Sequence, residues 1–303
     1  MARGLPAERP RALELYATPF FPQEDYQCGP AALATVLQVS GVAVEPAELV
    51  PQVYLPGRRG SLQAELIGAT RRHGRLAYRL PGTGQALLAE LEAGRPVLLL
   101  QNLGSRALPT FHYAVLIGYD ANRNIALLRS GRSERLAVRW QSFARSWDRA
   151  GRWAIAVLEP GVIPAEAQVA DYLEAAAGLE AAGHERAAGI AYDAALARWP
   201  QQPLAWLARG NAAYLAGELA AAADAYARAV ALAPGDAVAR NNLAQVLIDA
   251  GCTDAARRQL SRAEARVAGP EIAARIAATR AQLPAETSTN ALSCRLGERD
   301  WPD

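Results

Sequence analysis

The chain has 303 residues, of which 51% are hydrophobic, and its formal net charge is +2 at pH 7. This length exceeds one ordinary domain and predicts two. The basic residues are scattered, which excludes the charge pattern of a nucleic-acid-binding surface or a polybasic membrane patch. No apolar run reaches the roughly 18 residues that a membrane-spanning helix needs.

The cysteines and the N-terminal residues limit which cellular compartment and which kind of metal site the sequence predicts. Cys28, Cys252 and Cys294 are spaced for neither a disulfide framework nor a CxxC site, so we expect no structural zinc. A free Cys294 in the tail favours a reducing compartment. Residues 1–18 form an N-terminal extension without the apolar core of a signal peptide. The sequence as printed predicts a soluble cytoplasmic protein; an export leader upstream of residue 1 would make it periplasmic or membrane-associated.

The first half of the chain begins with helical stretches. Residues 28–39 are apolar at helical spacing, with Pro30 in the first turn and Gly41 after the end. Two further helices are predicted over residues 61–73 and 83–93, the first of them capped by the side chain of Ser61.

Short runs rich in Val, Ile, Leu and Trp follow these helices, and such runs are typical of β-strands. A turn over residues 120–123 joins the second run to the third. The five predicted strands are residues 96–101, 112–119, 124–129, 136–140 and 153–158. Helices followed by an antiparallel sheet predict an α+β domain over residues 19–160.

From about residue 165 the sequence repeats with a period of roughly 34 residues. The repeat places glycine at Gly183, Gly217 and Gly251, and alanine or tyrosine at matching later positions such as Ala222 and Tyr226. These positions resemble the tetratricopeptide repeat, which implies pairs of antiparallel helices stacked into a solenoid. We expect about three repeats over residues 165–283, with a flexible tail over residues 284–303.

Cys28 is the strongest candidate for chemistry. It opens the first predicted helix, where the positive end of the helix dipole favours a thiolate over a thiol. Of the three histidines, only His112 begins a predicted core strand, which makes it the candidate base. A small buried hydrophobe and an edge-strand histidine are the other interpretations of these two residues.

Two sequence blocks carry a resemblance to a known family. Residues 23–37 read QEDYQCGPAALATVL, and residues 112–119 read HYAVLIGY. The blocks resemble the signature blocks of the bacteriocin-processing, papain-like cysteine peptidases of bacteria, which remove double-glycine leader peptides. The resemblance covers about residues 19–158. It implies a papain-like fold with the nucleophile on the first helix and the base at the start of a strand.

The resemblance also implies roles for individual residues. Cys28 is expected to be the nucleophile, His112 the general base and acid, and Gln23 the side-chain donor to the oxyanion. The implied reaction is hydrolysis of peptide bonds through a thioacyl intermediate, without a metal or another cofactor. The expected partners are a peptide or protein substrate and a protein docked on the repeats, with no nucleic acid.

The third catalytic residue departs from the family pattern. The family has Asp-Pro on the strand after the histidine, whereas residues 127–131 read LLRSG here, with Arg129 and Ser130 and no carboxylate. Ser130 or a main-chain carbonyl is therefore the candidate to orient His112. Asp120 is an unattractive substitute, because it lies at the far end of the histidine strand.

Two other functions stay open. The missing acid is compatible with a weak or inactive domain that binds a leader-like peptide without cutting it, with the repeats as scaffold. The same thiol and imidazole would also support acyl transfer if an amine outcompeted water.

Overall fold

The computed structural model describes residues 10–23, 27–266, 269–283, 294–296 and 301–302. The chain divides into two compact units, Met1–Ala191 and Tyr192–Asp303. Most of the predicted N-terminal extension, residues 24–26 of the first signature block and most of the predicted tail lie outside the described residues. The domain limits near residues 160 and 165 stay predictions. The boundary between the two compact units falls later in the chain, between Ala191 and Tyr192, inside the first predicted repeat.

The helices of the first unit lie before, within and after its strands. A short 3-10 turn, Pro56–Arg58, separates the second helix from the third. The helices are α1 (Cys28–Val39), α2 (Pro46–Val53), α3 (Gln63–Arg72), α4 (Gly84–Glu92), α5 (Trp140–Arg149) and α6 (Val169–Ala181), and α7 (Glu185–Arg198) crosses into the second unit.

The strands form one antiparallel sheet in the order β2-β7-β3-β4-β5-β6, and β1 pairs with β4. Every described strand pair is antiparallel. The strands are β1 (Ala12–Glu14), β2 (Leu76–Arg79), β3 (Val97–Asn102), β4 (Phe111–Asp120), β5 (Ile125–Ser130), β6 (Ser133–Arg139) and β7 (Ala154–Leu158).

The core of the first unit lies between α1 and the sheet. Leu33 and Leu37 of α1 are fully buried in one cluster with Leu98 and Leu100 of β3. Burial of a leucine side chain contributes about 2 kcal/mol, so this contact is a large part of the stability of the unit. Because side chains alternate between the faces of a strand, the buried Leu99 lies on the opposite face, and α5 contacts the same strand.

The antiparallel sheet and the α+β class are confirmed, but the predicted order of helices first and strands second is wrong, because β1 precedes α1, β2 lies between α3 and α4, and α5 interrupts the strands. Helix α1 begins and ends at the predicted residues. The predicted cap at Ser61 is wrong, since α3 begins at Gln63 and its N-cap residue, Leu62, makes no side-chain cap. The Ser61 hydroxyl instead packs against Gly29, where any side chain would collide with it.

The second unit is helical. Gly217, with φ of 76°, turns the chain between its first two complete helices. Consecutive helices pack on each other, and the last one contacts the two before it. The tetratricopeptide assignment itself stays a prediction. The helices are α8 (Pro203–Leu215), α9 (Leu219–Leu232), α10 (Ala237–Asp249), α11 (Thr253–Glu264) and α12 (Pro270–Arg280).

The cysteine pairing differs from the sequence expectation. Cys252 and Cys294 form a disulfide, and Cys28 is the free cysteine. The expectation of a free Cys294 is therefore wrong, because two cysteines far apart in sequence are neighbours in the second unit. Without a free Cys294, the argument for a reducing compartment no longer applies, since structural disulfides persist mainly in oxidising compartments. Within the described part of the chain, no helix is both long and apolar enough to cross a bilayer.

Candidate active site

Cys28 is the first residue of α1, directly after the N-cap residue Gln27. Its neighbour Gly29 permits the close approach of Ser61, and the Tyr113 hydroxyl donates to the Ser61 carbonyl at 3.2 Å. The backbone of Tyr113 is close enough to the Cys28 thiol to act on its pKa, which it lowers. The thiol is therefore held between the start of α1 and the residue that follows His112 in β4.

His112 lies near the start of β4, directly across from Gln101 of β3. Its Nε2 atom is 2.9 Å from the hydroxyl of Ser130, at the end of β5. The buried Gln101 side chain donates to the Ser146 hydroxyl at 2.6 Å, and Ser146 donates in turn to the Phe143 carbonyl. These two hydrogen bonds fix the β3–β4 strand pair beside the imidazole. Because Nε2 of His112 contacts Ser130, Nδ1 is the ring nitrogen available to a thiol.

An open cleft of about 980 Å³ brings three of the predicted site residues together, Gln23, Cys28 and His112. The Gln23 backbone N–H donates to the Gly131 carbonyl at 3.1 Å, which fixes the segment before α1 to the β5–β6 turn. Ser130 contacts His112 next to the cleft lining. The other lining residues are Arg58, Arg59, Gly60, Ser61, Leu62, Gln63, Leu100, Thr110, Phe111, Tyr113, Gly131, Arg132, Arg149 and Ala150.

Arg129 occupies the strand segment where the family has its acid. Only 6% of its surface is exposed, and its guanidinium donates to three main-chain carbonyls. The Nη2 and Nε atoms reach the Thr18 carbonyl at 2.7 and 3.2 Å, Nη2 also reaches Tyr16, and Nη1 reaches Glu134 at 2.5 Å. Arg129 therefore ties the segment before Gln23 to the β5–β6 hairpin.

Burial governs the protonation of the two central groups. It raises the pKa of the Cys28 thiol above its ordinary value, and the backbone N–H groups of Tyr113, Gly29 and Cys28 act in the opposite direction. Burial lowers the pKa of the His112 imidazole. Both shifts favour a neutral thiol beside a neutral imidazole in the free protein. They oppose the thiolate that the helix dipole alone predicts.

These shifts predict the pH dependence of Cys28 alkylation. Iodoacetamide reacts with the thiolate, so a raised pKa means a low rate near about pH 7 and a rate that climbs as pH rises through the raised pKa. The measurement is the alkylation rate without reductant, when Cys28 is the free thiol, against the same chain unfolded in urea. A rate already at its plateau near neutral pH would instead indicate the thiolate–imidazolium pair.

The part of the chain that contains the cleft residues was compared with known protein families and solved structures. Residues 16–155 match the model of the Peptidase_C39 like family. This stretch contains Gln23, Cys28, His112 and Ser130, and it is a little under half of the chain. The first unit is thus similar to cysteine peptidases of the C39 type.

Two solved structures are each similar to a little under half of the chain. A protein from Bacillus anthracis described as a C39-like peptidase is 19% identical with a TM-score of 0.42, over 49% of this chain and 98% of that one. A double glycine motif protease from an AMS/PCAT transporter, solved in complex with the leader peptide, is 21% identical with a TM-score of 0.34, over 46% and 89%. A comparison with curated proteins found no match.

The C39-like cleft also contains residues that the sequence did not single out. Arg58, Arg132 and Arg149 line it from three separate segments, and no sequence spacing joins them. Ser61 could have been noticed in the sequence, because a serine directly before a predicted helix is conspicuous. In the sequence it was interpreted as a helix cap and not as a residue of the cleft. Among the described residues, no group of three or more His, Cys, Asp and Glu side chains is placed to hold a metal ion. That no cofactor is needed stays a prediction.

Proposed function

We propose that the first unit is a cysteine peptidase that hydrolyses peptide bonds in the cleft. Cys28 is the nucleophile, His112 the general base and then the general acid, Gln23 a donor to the oxyanion, and Ser130 the group that orients the imidazole. The observation that carries the proposal is the shared cleft: Gln23, Cys28 and His112 line it together, and the Ser130 hydroxyl lies 2.9 Å from His112 Nε2.

The proposed chemistry begins from the neutral pair. His112 Nδ1 takes the thiol proton as Cys28 Sγ attacks the peptide carbonyl carbon, and Nε2–H donates to Ser130. The Gln23 amide and the Cys28 backbone N–H stabilise the developing oxyanion, an arrangement worth about 3–4 kcal/mol in comparable sites. The imidazolium then gives its proton to the leaving amine as the C–N bond breaks, and water hydrolyses the thioester.

The second unit is proposed to dock a peptide or a protein partner. Asn211 of α8 and Asn242 of α10 are joined side chain to side chain at 3.2 Å, and the Tyr226 hydroxyl donates to Asn211 at 2.8 Å. A connected set of amide groups between neighbouring helices supports this proposal, because such groups can hydrogen-bond a polypeptide backbone. Stacked helical repeats present extended binding surfaces of this kind.

A peptide-binding scaffold without hydrolysis is the second candidate function. Two observations favour it: Arg129 lies where the family has a carboxylate, and the pKa shifts favour a neutral Cys28–His112 pair. A serine hydroxyl stabilises an imidazolium less than a carboxylate does, so a slow enzyme is the expected intermediate case.

The deciding experiment is digestion of a proteome-derived peptide library by the full chain, with products identified by mass spectrometry. We expect a reproducible set of cuts that disappears after Cys28 is alkylated with iodoacetamide, while the Cys252–Cys294 disulfide stays unmodified. Products of hydrolysis gain one water per cut, whereas acyl transfer to an added amine gives new amides. A library left intact by the untreated chain would contradict the hydrolase and favour the scaffold.

A further inference from the structure

Among the described residues, the charged side chains that line the cleft around Cys28 are all basic. Arg58, Arg59, Arg132 and Arg149 are among its lining residues. Among the described lining residues there is no Asp and no Glu. This contrasts with the whole chain, in which 32 basic and 30 acidic residues nearly balance. The positive charge is therefore concentrated at the site and is not a property of the overall composition.

The first of these arginines lies on a tightly closed loop. Arg58 ends the 3-10 turn, and Leu55 N–H donates to the Gly60 carbonyl at 2.9 Å across the loop. The next residue, Arg59, has φ of 47°, a left-handed conformation that glycine would adopt with less strain. An arginine kept in this conformation at a cleft rim points to a functional role for the loop.

The other two arginines, Arg132 and Arg149, come from two other segments of the chain. Arg132 is exposed and follows Gly131 in the β5–β6 turn. Arg149 ends α5, and its Nη2 and Nε atoms donate to the Asn102 carbonyl at 2.8 and 3.2 Å. A carbonyl fixes the orientation of this guanidinium and leaves its positive charge unneutralised. The cleft thus has basic residues from three separate segments in its lining.

Exposed apolar groups lie among these charges. Phe111, next to His112, is 57% exposed, and Leu62 is 36% exposed. Large apolar side chains at a cleft rim mark a surface that a partner covers. An occupant that complements the whole lining carries negative charge together with apolar side chains.

We propose that the cleft selects acidic polypeptide segments, with Asp or Glu side chains close to the scissile bond and an apolar residue beside them. Arg58 and Arg132 are the specificity-determining residues. The inference rests on the proposed function for the statement that the occupant is cleaved. A cleft lined by one sign of charge focuses the field and raises the local concentration of opposite charges, and this raises association rates about tenfold or more.

The first test measures charge selection without any substrate. The probes are iodoacetate, which is anionic, and iodoacetamide, which is neutral, both reacting with Cys28. The ratio of their rates, divided by the same ratio for the urea-unfolded chain, cancels the intrinsic reactivity of the thiol. We expect this normalised ratio to be about tenfold above one at low salt. It should fall towards one at about 1 M salt, where the screening length is about 3 Å.

The variants identify the source of the selection. Arg58→Gln and Arg132→Gln should each lower the ratio at least about twofold; the ratio, and not either single rate, is compared because both probes react with the same thiolate. Arg123→Gln is the matched control, since it removes an exposed charge at the far end of the β4–β5 hairpin and should leave the ratio unchanged. The ratio reports the net potential at Cys28, including any contribution of Glu24 and Asp25, which lie outside the described residues. A normalised ratio of one or below overturns the proposal.

The second test uses the cleaved peptides of the library. Cut sites should be enriched in Asp and Glu near the scissile bond, and Arg58→Gln with Arg132→Gln should reduce that enrichment. Cuts without charge preference, or enriched in Lys and Arg, overturn acidic selection and leave the peptidase standing. If the library stays uncut while the normalised iodoacetate-to-iodoacetamide ratio is raised, the proposed peptidase activity is wrong and the proposed charge selection at the cleft is supported.

Discussion

Alanine at His112 is expected to lower peptide cleavage by about 10²- to 10⁴-fold, because the thiol then loses the base that takes its proton and the acid that protonates the leaving amine. Alanine at Cys28 should abolish the reaction. Ser130→Ala should cost less than His112→Ala, since it removes only the group at Nε2 that orients the ring. The measurement is kcat/KM for one peptide identified from the library digestion.

A matched control separates chemistry from folding in this experiment. His184 lies in the same unit and outside the cleft lining, with Nε2 at 2.9 Å from the Arg72 carbonyl. His184→Ala should therefore leave kcat/KM close to that of the unaltered chain. Cleavage that survives His112→Ala at its original rate would show that the imidazole at 112 is not the catalytic base.

Arg129→Met is expected to lower the free energy of unfolding of the first unit by about 3–5 kcal/mol. The change removes charge-assisted hydrogen bonds, each worth about 1.5–3 kcal/mol, and leaves the buried Thr18 carbonyl without this donor, which costs about 1–3 kcal/mol; the carbonyls of Tyr16 and Glu134 belong to exposed residues and cost less. The free energy of unfolding of Arg129→Lys should lie between those of the unaltered chain and Arg129→Met. A lysine ammonium keeps the positive charge but lacks the planar, forked donor group of arginine.

Urea unfolding of the full chain, followed by hydrogen exchange of β4 and β5, reports the first unit separately from the second. Arg152→Met is the matched control: Arg152 lies in the same unit, and its exposed side chain pairs with the exposed Asp148 at 2.7 Å. Exposed ion pairs contribute little, so this variant should lose far less stability. Equal losses for the two variants would contradict the anchoring role of Arg129.

Much of the fold was predictable because its signals are local. Helix α1 has uninterrupted apolar spacing, and β3 to β5 and β7 are runs of branched side chains bounded by turns. Helix α5 was missed although Trp140, Phe143 and Trp147 have helical spacing, because the first tryptophan was interpreted as the end of a strand. The three residues of β1 and the four of β2 are too short to show a period. Their strand form depends on pairing with distant β4 and β7.

The candidate site was predictable only where one residue type in one block carries the signal. Cys28 and His112 stand in recognisable blocks, whereas the contacts of Arg129 reach main-chain carbonyls about a hundred residues earlier, such as that of Thr18. The charge state of Cys28 also depends on tertiary burial, which outweighs the helix end visible in the sequence. Three-dimensional packing, and not local propensity, decides both features.

The sulfur atoms of this chain impose opposite demands on a reaction mixture. A thiol nucleophile is protected by dithiothreitol or a similar additive, but the same additive opens the Cys252–Cys294 bond, which joins the start of α11 to a segment 42 residues later. Assays run in such additives would measure the first unit while the second unit has lost its disulfide. Docking and turnover therefore need to be compared in buffers of both kinds.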